Sequence, residues 1–374
     1  MSNTNSAKAV CFLGPVLGAY RSQFLLKYFK DNTGFALFYV DEDFFVKKSQ
    51  SIFNRVIGKI ITIVTQFAYL LFADIVVVPA MTHKGLGWYK LAVFFKKRIV
   101  VDFYISMYDS YVLDRKIVEP GSKEAVALME RDSFLMKAGN PTIFLNNTEL
   151  DYYTSIVGSS QRQIKYKIIP LCIEPRSIAK LPYFNSLNAV PMICWWGSYI
   201  PLHGLEKVIE MAAILKNKGF AFKLMLFGNS DKLATPYNQL IEKNNLTDLL
   251  TIRNDFSFAN GKLEEFLESE CDLSLGNFGD SDKAKKVFIN KIGDAFAMKI
   301  PVLTMETEAL KELVNINEDV FISLNEPESM AEKILQIFQN KSQALKIAEN
   351  GYSRYNSQFS VKQYFNNLNE VYLQ

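Results

Sequence analysis

The sequence predicts an α/β protein made of two doubly wound parallel sheets that face each other across a cleft. Three observations carry this reading. Short β-rich runs alternate with helical periods almost throughout the chain. The runs are nearly continuously apolar, as parallel strands covered on both faces must be. The alternation breaks in a polar stretch near 174–190 and then restarts, dividing 374 residues into two domains that can each bury a core. A single barrel of β/α units is the rival architecture, but it would need eight evenly spaced units and no central break.

In the first half, KAVCFL (8–13) reads as a strand, followed by the Gly14–Gly18 loop and a helix to about Lys30. FALFYV (35–40), DIVVVPA (74–80), RIVVDFY (98–104), TIFLN (142–146) and YKIIPL (166–171) are further strands, and 120–138 reads as a helix. The run IITIVTQFAYLLFA (60–73) is uncharged but only 14 residues long. A spanning helix needs roughly 20. A buried strand follows at once, so 51–72 is read as a helix packed on a sheet, with a helix lying on a membrane surface as the alternative. From Pro191 the pattern restarts with MICWWG (192–197) and an amphipathic helix over 205–219 that Gly219 stops. FKLMLFG (222–228) comes next, then a helix with Thr235 as N-cap and Pro236 in its first turn. LLTIR (249–253), CDLSLG (271–276), PVLTM (301–305) and VFISLN (320–325) complete the strands. A last helix, from about Ser360 to Tyr372, could complete either domain.

Hydrophobic residues are 49% and charged residues 22%, which excludes a disordered chain. The net charge of +3 is unevenly spread: residues 1–100 hold 13 Lys/Arg against 5 Asp/Glu, and the rest hold 29 against 34. A basic N-terminal third suits an anionic partner, either a membrane surface or a phosphorylated acceptor, and equally suits a solubilising surface. Cys11, Cys172, Cys194 and Cys271 are far apart and form no CxxC pair. With only two histidines a zinc site has no ligand set, and buried reduced thiols of a cytosolic protein are the simpler account. The N-terminus MSNTNSAKAV does not read as a signal peptide.

The stretch VFINKIGDAFAMKIPVLT (287–304) points most directly to a ligand. An apolar turn delivers Asn290 and Lys291, an amphipathic helix carries Asp294, and a buried strand follows Pro301. Lys291 and the helix N-terminus suit a phosphate, and Asp294 suits a sugar hydroxyl. Other strand ends open into polar or glycine-bearing loops. After MICWW comes GSYIPLHG (197–204), with Gly197 and Gly204 at its ends and His203 just before a helix, a place where backbone amides hold anions. A lone histidine there is equally well a capping or surface residue. Gly228 ends the next strand and permits close backbone approach. GNFGDSDKAKK (276–286) reads as a flexible, basic loop suited to phosphate, or as a solvated lysine face. No GxGxxG follows the first strand and no GxxxxGK[ST] occurs, so dinucleotide and P-loop readings lack their fingerprints.

Taken together, WWGSYIPLHGLEKVIEMAAIL, FKLMLFG and DKAKKVFINKIGDAFAMKIPVLTMETEALKELV resemble the C-terminal domain of family 4 glycosyltransferases, retaining enzymes of the GT-B fold. The match spans roughly 192–340 and is specific as a combination. RIVVDFYISMYDSYVLDR is similar, more loosely, to an N-terminal segment of some of these enzymes. The family commonly has an arginine after the first glycine of the turn block and a lysine before the second, where this chain has Ser198 and His203. Of the family's two acidic residues with seven between them, the second aligns with Asp294 and the first falls on Lys286.

The resemblance implies two Rossmann-like domains. Residues 1–175 would bind the acceptor and 176–355 the nucleotide sugar, with 356–374 able to pack back on the first. It implies transfer of a sugar, with retention, from a UDP- or GDP-type donor to an acceptor hydroxyl, in surface polysaccharide, glycolipid or glycoprotein glycan synthesis. No metal or other cofactor is implied. Gly197, Ser198, His203, Gly204, Gly228, Arg253, Asn290, Lys291 and Asp294 would then bind the donor, Lys291 at the diphosphate and Asp294 at ribose or sugar hydroxyls. Arg253 and Asn254 would face the base. Gly14 and Gly18 would line the acceptor side, and His83, Asp102 or Asp109 would orient the acceptor or act as base. The expected place is the cytoplasm, peripheral on the inner face of the membrane through the basic N-terminal domain, with no nucleic acid bound. Two alternatives stand beside this one: a catalytically decayed sugar-nucleotide-binding or scaffold subunit, motivated by Ser198 and Lys286, and an epimerase or phosphorylase of the same shape.

Overall fold

The computed structural model describes residues 7–13, 19–40, 52–82, 85–185 and 190–373. The chain divides into two compact units, residues 1–170 with 365–374, and residues 171–364. Each is an α/β unit around one six-stranded sheet in which every pairing is parallel. Two open sheets replace the barrel alternative.

The first sheet runs in the order β2-β1-β3-β4-β5-β6. Its strands are β1 Lys8–Phe12, β2 Phe35–Tyr39, β3 Ile75–Val78, β4 Arg98–Asp102, β5 Thr142–Phe144 and β6 Tyr166–Ile168. Each begins at or within one residue of the start of its predicted run and ends short of the run's last residues. The apolar residue types persist into the strand-end loops, where backbone pairing has already ceased. Val76, Val77, Val100 and Phe144 are fully buried, as two-sided coverage requires. Helices Tyr20–Asp31, Ile52–Phe72, Leu86–Phe94, Lys123–Ala138 and Asn147–Ile156 accompany this sheet, the last two opened by Ser122 and Asn146, whose side chains accept amide hydrogens of the first turn. At the other end of the chain, Tyr372 packs edge-on against Phe29 and Phe35, while Arg98 donates to the Val371 carbonyl, so the C-terminal residues belong to this core.

The second sheet runs β12-β11-β10-β7-β8-β9. Its strands are β7 Met192–Trp196, β8 Lys223–Phe227, β9 Leu250–Arg253, β10 Leu273–Leu275, β11 Val302–Met305 and β12 Phe321–Ser323. Three readings of the sequence change here. The helix after β8 is Asp231–Lys243 with Ser230 as N-cap, so Thr235 and Pro236 lie inside it. Pro236 therefore lies in the second turn, where it lacks the N–H that would bond the Lys232 carbonyl, and Thr235 turns its hydroxyl back to the Asp231 carbonyl. The polar stretch 174–190 has core residues: Leu181 and Phe184 are buried, and backbone amides at 179, 180 and 183 donate to Met298, Glu268 and Asp272 of this unit. Gly276 and Gly279 are not hinges. A Cβ at Gly279 would meet the Leu202 carbonyl oxygen at 2.3 Å, one at Gly204 would meet that of Phe278 at 2.2 Å, and one at Gly276 would meet Thr304 at 2.5 Å. Gly204 and Gly279 let the loops after β7 and β10 interlock, backbone against backbone, and Gly276 makes room for the Thr304 side chain of β11. All four cysteines are free and buried.

Strand order fixes where a ligand can enter. In the first sheet β1 is flanked by β2 and β3, and in the second β7 is flanked by β8 and β10. Successive crossovers leave in opposite directions at these points, opening a crevice beyond the carboxyl ends of the strands.

Candidate functional site

At the switch point of the second sheet, β7 ends in two tryptophans whose side chains point to opposite faces, and each backs a separate charged cluster. Trp195 faces Lys291 and His203. Lys291 lies in the first turn of helix Asn290–Ala297, whose N-cap, Ile289, offers no side-chain acceptor. The Lys291 Nζ sits 4.2 Å from the centre of the Trp195 ring and 3.4 Å from the carbonyl oxygen of Gly276, the residue after β10. Lys291 is 4% exposed and, among the described residues, no carboxylate pairs with it. Burial holds its ammonium group well below the ordinary lysine range.

His203 closes the short 3-10 turn Pro201–His203, and Gly204 follows with φ 60°. Its ring packs edge-on to Trp195 at 5.6 Å, with Nε2 against Gly197. Its Nδ1 is buried without a hydrogen-bond partner. Burial first, and the nearby Lys291 second, keep its imidazole well below the usual histidine range. Gly197, at φ 152°, is where a side chain would press on that ring.

The second cluster lies on the Trp196 side. Asp294 is three residues after Lys291 on the same short helix, and the two are therefore neighbours on its face. Arg176 Nη2 reaches Asp294 at 3.4 Å, while Arg176 Nη1 reaches Glu264 at 3.4 Å and Glu174 at 3.2 Å. The guanidinium lies 3.8 Å above the Phe258 ring. Burial pushes the Asp294 carboxyl up to about 6, against the opposite pull of Arg176 and of the Trp196 indole. Arg176 was invisible to sequence reasoning because it lies in the stretch read as a linker. Its one signal was EPR (174–176), an ion pair in sequence next to a proline-containing segment.

The other expected donor residues gather nearby. Asn290 starts the Lys291 helix. Ser198 accepts from the Asn229 side chain at 3.1 Å. A Cβ at Gly228 would strike the Tyr199 hydroxyl at 2.0 Å. Tyr199 stacks between Trp195 and Tyr237 and donates to Asn254 at 2.6 Å. Asn254 in turn donates to Asp231 at 2.8 Å. Beyond them Arg253, Asn254, Asp255, Ile252 and Asp231 line an open depression of about 370 Å³. Arg253 is spent on a bidentate pair with exposed Asp255 at 2.8 Å. Lys286, where the family places its first acid, pairs with Glu308.

The remaining expected residues belong to the first unit. Gly14, Gly18 and His83, which follow β1 and β3 in sequence, lie outside the described residues. Asp102 ends β4 and grips Arg21 Nε with both oxygens, at 2.8 and 3.1 Å. Arg21 also donates to the carbonyls of Pro170 and Ile169. This buried ion pair pins helix Tyr20–Asp31 to the sheet end, a role that the sequence reading did not assign to Asp102. Asp109 is fully buried, accepting from the Tyr152 hydroxyl at 2.7 Å, with its amide on Ser106.

Similar folds have been solved. Sucrose-phosphate synthase from Thermosynechococcus elongatus aligns with a TM-score of 0.70 at 12% identity, over 98% of each chain. Anabaena HepE in complex with UDP and glucose aligns with a TM-score of 0.68 at 14% identity, over 98% of this chain and 99% of that one. The fold is that of the GT-B glycosyltransferases. A glycosyltransferase from Rickettsia africae aligns with a TM-score of 0.64 at 15% identity over 98% of each chain. No family model and no curated protein matches the sequence.

Proposed function

We propose that the protein is a retaining glycosyltransferase that moves a sugar from a nucleoside-diphosphate donor to an acceptor hydroxyl. The observation that carries this is the Lys291–His203 pair: two buried basic side chains at a sheet switch point with no carboxylate between them. A buried cation without a counter-ion is expensive to hold, and an anionic ligand would supply the missing partner. The GT-B fold supports the reading, as do the solved complexes of Anabaena HepE with UDP and with UDP-glucose.

In this proposal the diphosphate lies against Lys291, His203 and the uncapped start of helix Asn290–Ala297. Asp294, ionised above about 6 and steadied by Arg176, accepts from the ribose or sugar hydroxyls. The base occupies the depression beside Arg253 and Asn254. As the bond from the anomeric carbon to the diphosphate breaks, the sugar becomes oxocarbenium-like and charge gathers on the leaving oxygen, where Lys291 and His203 stabilise it. The acceptor oxygen bonds to the anomeric carbon on the face the leaving group vacates, and its proton passes to the departing phosphate. Protein cations carry the diphosphate charge in this proposal, so chelator in the titration leaves donor affinity unchanged. The acceptor falls to the first unit, where His83, Gly14 and Gly18 follow strand ends in sequence; surface polysaccharide, glycolipid or protein glycan are the product classes proposed, made at the inner face of the membrane.

Calorimetric titration with UDP and GDP tests the donor site. One of them binds the wild type, and Lys291→Met weakens it about a hundredfold, a loss of about 2.7 kcal/mol. Unchanged affinity in the variant defeats the assignment. The Lys286–Glu308 pair favours a second reading, a sugar-nucleotide-binding subunit without turnover, because a cation stands where the family places an acid. Nucleotide binding without product from any acceptor would select it, and product formed with no acceptor present would indicate an epimerase.

A further inference from the structure

The helix Ile52–Phe72 is amphipathic the wrong way round. Its buried side is a stripe at four-residue spacing, Gly58, Thr62, Gln66 and Leu70, in which three of the four are small or polar. The Thr62 hydroxyl is spent on the Gly58 carbonyl at 2.9 Å. The opposite side carries nine exposed aliphatic or aromatic side chains, from Val56 to Phe72, with Ile60 at 56%, Ile63 at 55%, Val64 at 62% and Phe72 at 74% exposure. At roughly 100° per residue they cover about half of the helix circumference without a charge among them. The helix is about 30 Å long at 1.5 Å per residue. The ridge continues onto the neighbouring helix Leu86–Phe94, where Phe94 is 75% exposed and Val93 45%, and Phe95 ties the two helices together against Phe67. A patch of this extent exceeds what a monomer ordinarily leaves in water. No helix among the described residues is long and apolar enough to cross a membrane, and this one is held to its unit along the Gly58–Leu70 stripe.

Charge selects the occupant. Residues 52–98 carry seven Lys or Arg and one acid, Asp74. Asp74 is already engaged by the Ala9 amide at 2.8 Å. Lys59, Lys90 and Lys96 are exposed on the same two helices and the turn after them. A second copy would bring the same cations to the same rim, and like charges would oppose the pairing. An anionic lipid surface offers hydrocarbon to the ridge and headgroup charge to the rim at once. We propose that the face formed by helix Ile52–Phe72 and Val93–Phe94 seats the protein on anionic membranes, lying in the headgroup region without spanning it. This is independent of the donor-site chemistry.

Flotation of the full chain with vesicles tests it, comparing pure phosphatidylcholine with phosphatidylcholine containing phosphatidylglycerol, at low and high salt. The wild type floats with the anionic vesicles, several-fold less with neutral ones, and less again in high salt. The double variant Ile60→Glu/Val64→Glu, both sites exposed, keeps its circular dichroism and melting temperature and loses binding at least about tenfold. Lys90→Glu/Lys96→Glu weakens anionic binding and leaves the residual neutral binding unchanged. Failure of the wild type to float overturns the proposal, as do equal binding to neutral vesicles and undiminished binding of the folded Ile60→Glu/Val64→Glu variant. A dimer in light scattering that this variant dissociates, with no flotation, also overturns it and gives the face to a second copy. Nucleoside-diphosphate binding, measured on the same variants, stays at the wild-type level and separates this outcome from failure of the donor site.

Discussion

Two strand ends in this molecule hold a buried cation, and they differ in one respect. At the end of β4, Arg21 is 1% exposed and Asp102 3%, and the carboxylate meets the guanidinium with both oxygens while two carbonyls take up further N–H groups. At the end of β7, Lys291 is as deeply buried but meets a tryptophan ring and one carbonyl, with a second basic group, His203, beside it. The first arrangement is complete within the chain and holds a helix in place. The second is short of an anion. Burial alone does not mark a site; burial with an unbalanced charge does.

Removing the balance from the complete site has the largest expected effect. Asp102→Asn leaves Arg21 charged, buried and without its counter-ion, which costs about 3–5 kcal/mol. Hydrogen exchange in β1, β3 and β4 then accelerates strongly, while exchange in the second sheet stays as it was. Equal acceleration in both units, or none, would show that the ion pair is not what organises this strand end.

Supplying balance at the incomplete site acts in the opposite direction. Lys291→Met keeps the volume and removes the uncompensated cation, so the unliganded protein gains about 1 kcal/mol or more while nucleotide affinity collapses. The pH dependence sharpens the point. The folded-state value of Lys291 lies well below its ordinary 10.5. Between the two, the unfolded chain carries a proton the folded chain lacks, so stability rises with pH across that window and levels off above 10.5. His203 adds the same sign below its ordinary 6.5. In the Met variant the alkaline slope is gone. Anion binding favours the protonated forms, so nucleoside diphosphate takes up protons as it binds and its affinity falls with rising pH. Calorimetry in buffers of different ionisation enthalpy measures that uptake, and proton release on binding would refute the charge assignment.

The contrast between the two ends also explains what the sequence could disclose. Apolar runs such as DIVVVPA and MICWWG announce buried parallel strands by composition, so both sheets were readable, with errors of a few residues at their ends. Lys291 and Asp294 were readable because helix period and strand punctuation place them at one helix start. Arg176 was not, because its partners Glu264 and Asp294 lie 88 and 118 residues away and no local pattern encodes such a meeting. Pro236 misled for a similar reason: a proline near a helix start suggests the first turn, yet Ser230 caps earlier. The pairing of Asp102 with Arg21, 81 residues before it, is equally silent in sequence. Even the helix Ile52–Phe72 shows its period plainly, but that its buried side is the stripe Gly58, Thr62, Gln66 and Leu70 is revealed only by the packed structure.

Asp294 is an intermediate case, a buried carboxylate whose cation, Arg176, is shared with two other acids. Its folded value of about 6 exceeds the ordinary 3.8, so the folded protein holds a proton that the unfolded chain lacks between these values, and stability falls as pH rises through that window. Asp294→Asn abolishes this fall. It also weakens donor binding about tenfold at neutral pH, the loss of one charge-assisted hydrogen bond, and removes the drop in affinity that the wild type shows below about 6. A wild-type affinity that stays flat across this range would disconnect Asp294 from the ligand.

The smallest effect belongs to Arg253, whose Nε and Nη2 each hold one oxygen of Asp255, where Arg21 meets Asp102 through Nε alone, and whose pair lies open to solvent. Water already solvates both groups, so Arg253→Ala leaves the melting temperature where it was. If the base lies in the adjoining depression, stacking and backbone contacts outweigh a side chain already committed to Asp255, and nucleotide affinity changes by no more than about threefold. A loss near that of Lys291→Met would mean that Arg253 leaves Asp255 when the ligand arrives. The exposed pair would then be a resting position, and geometry in the unliganded protein would no longer separate finished charge pairs from those waiting for a partner.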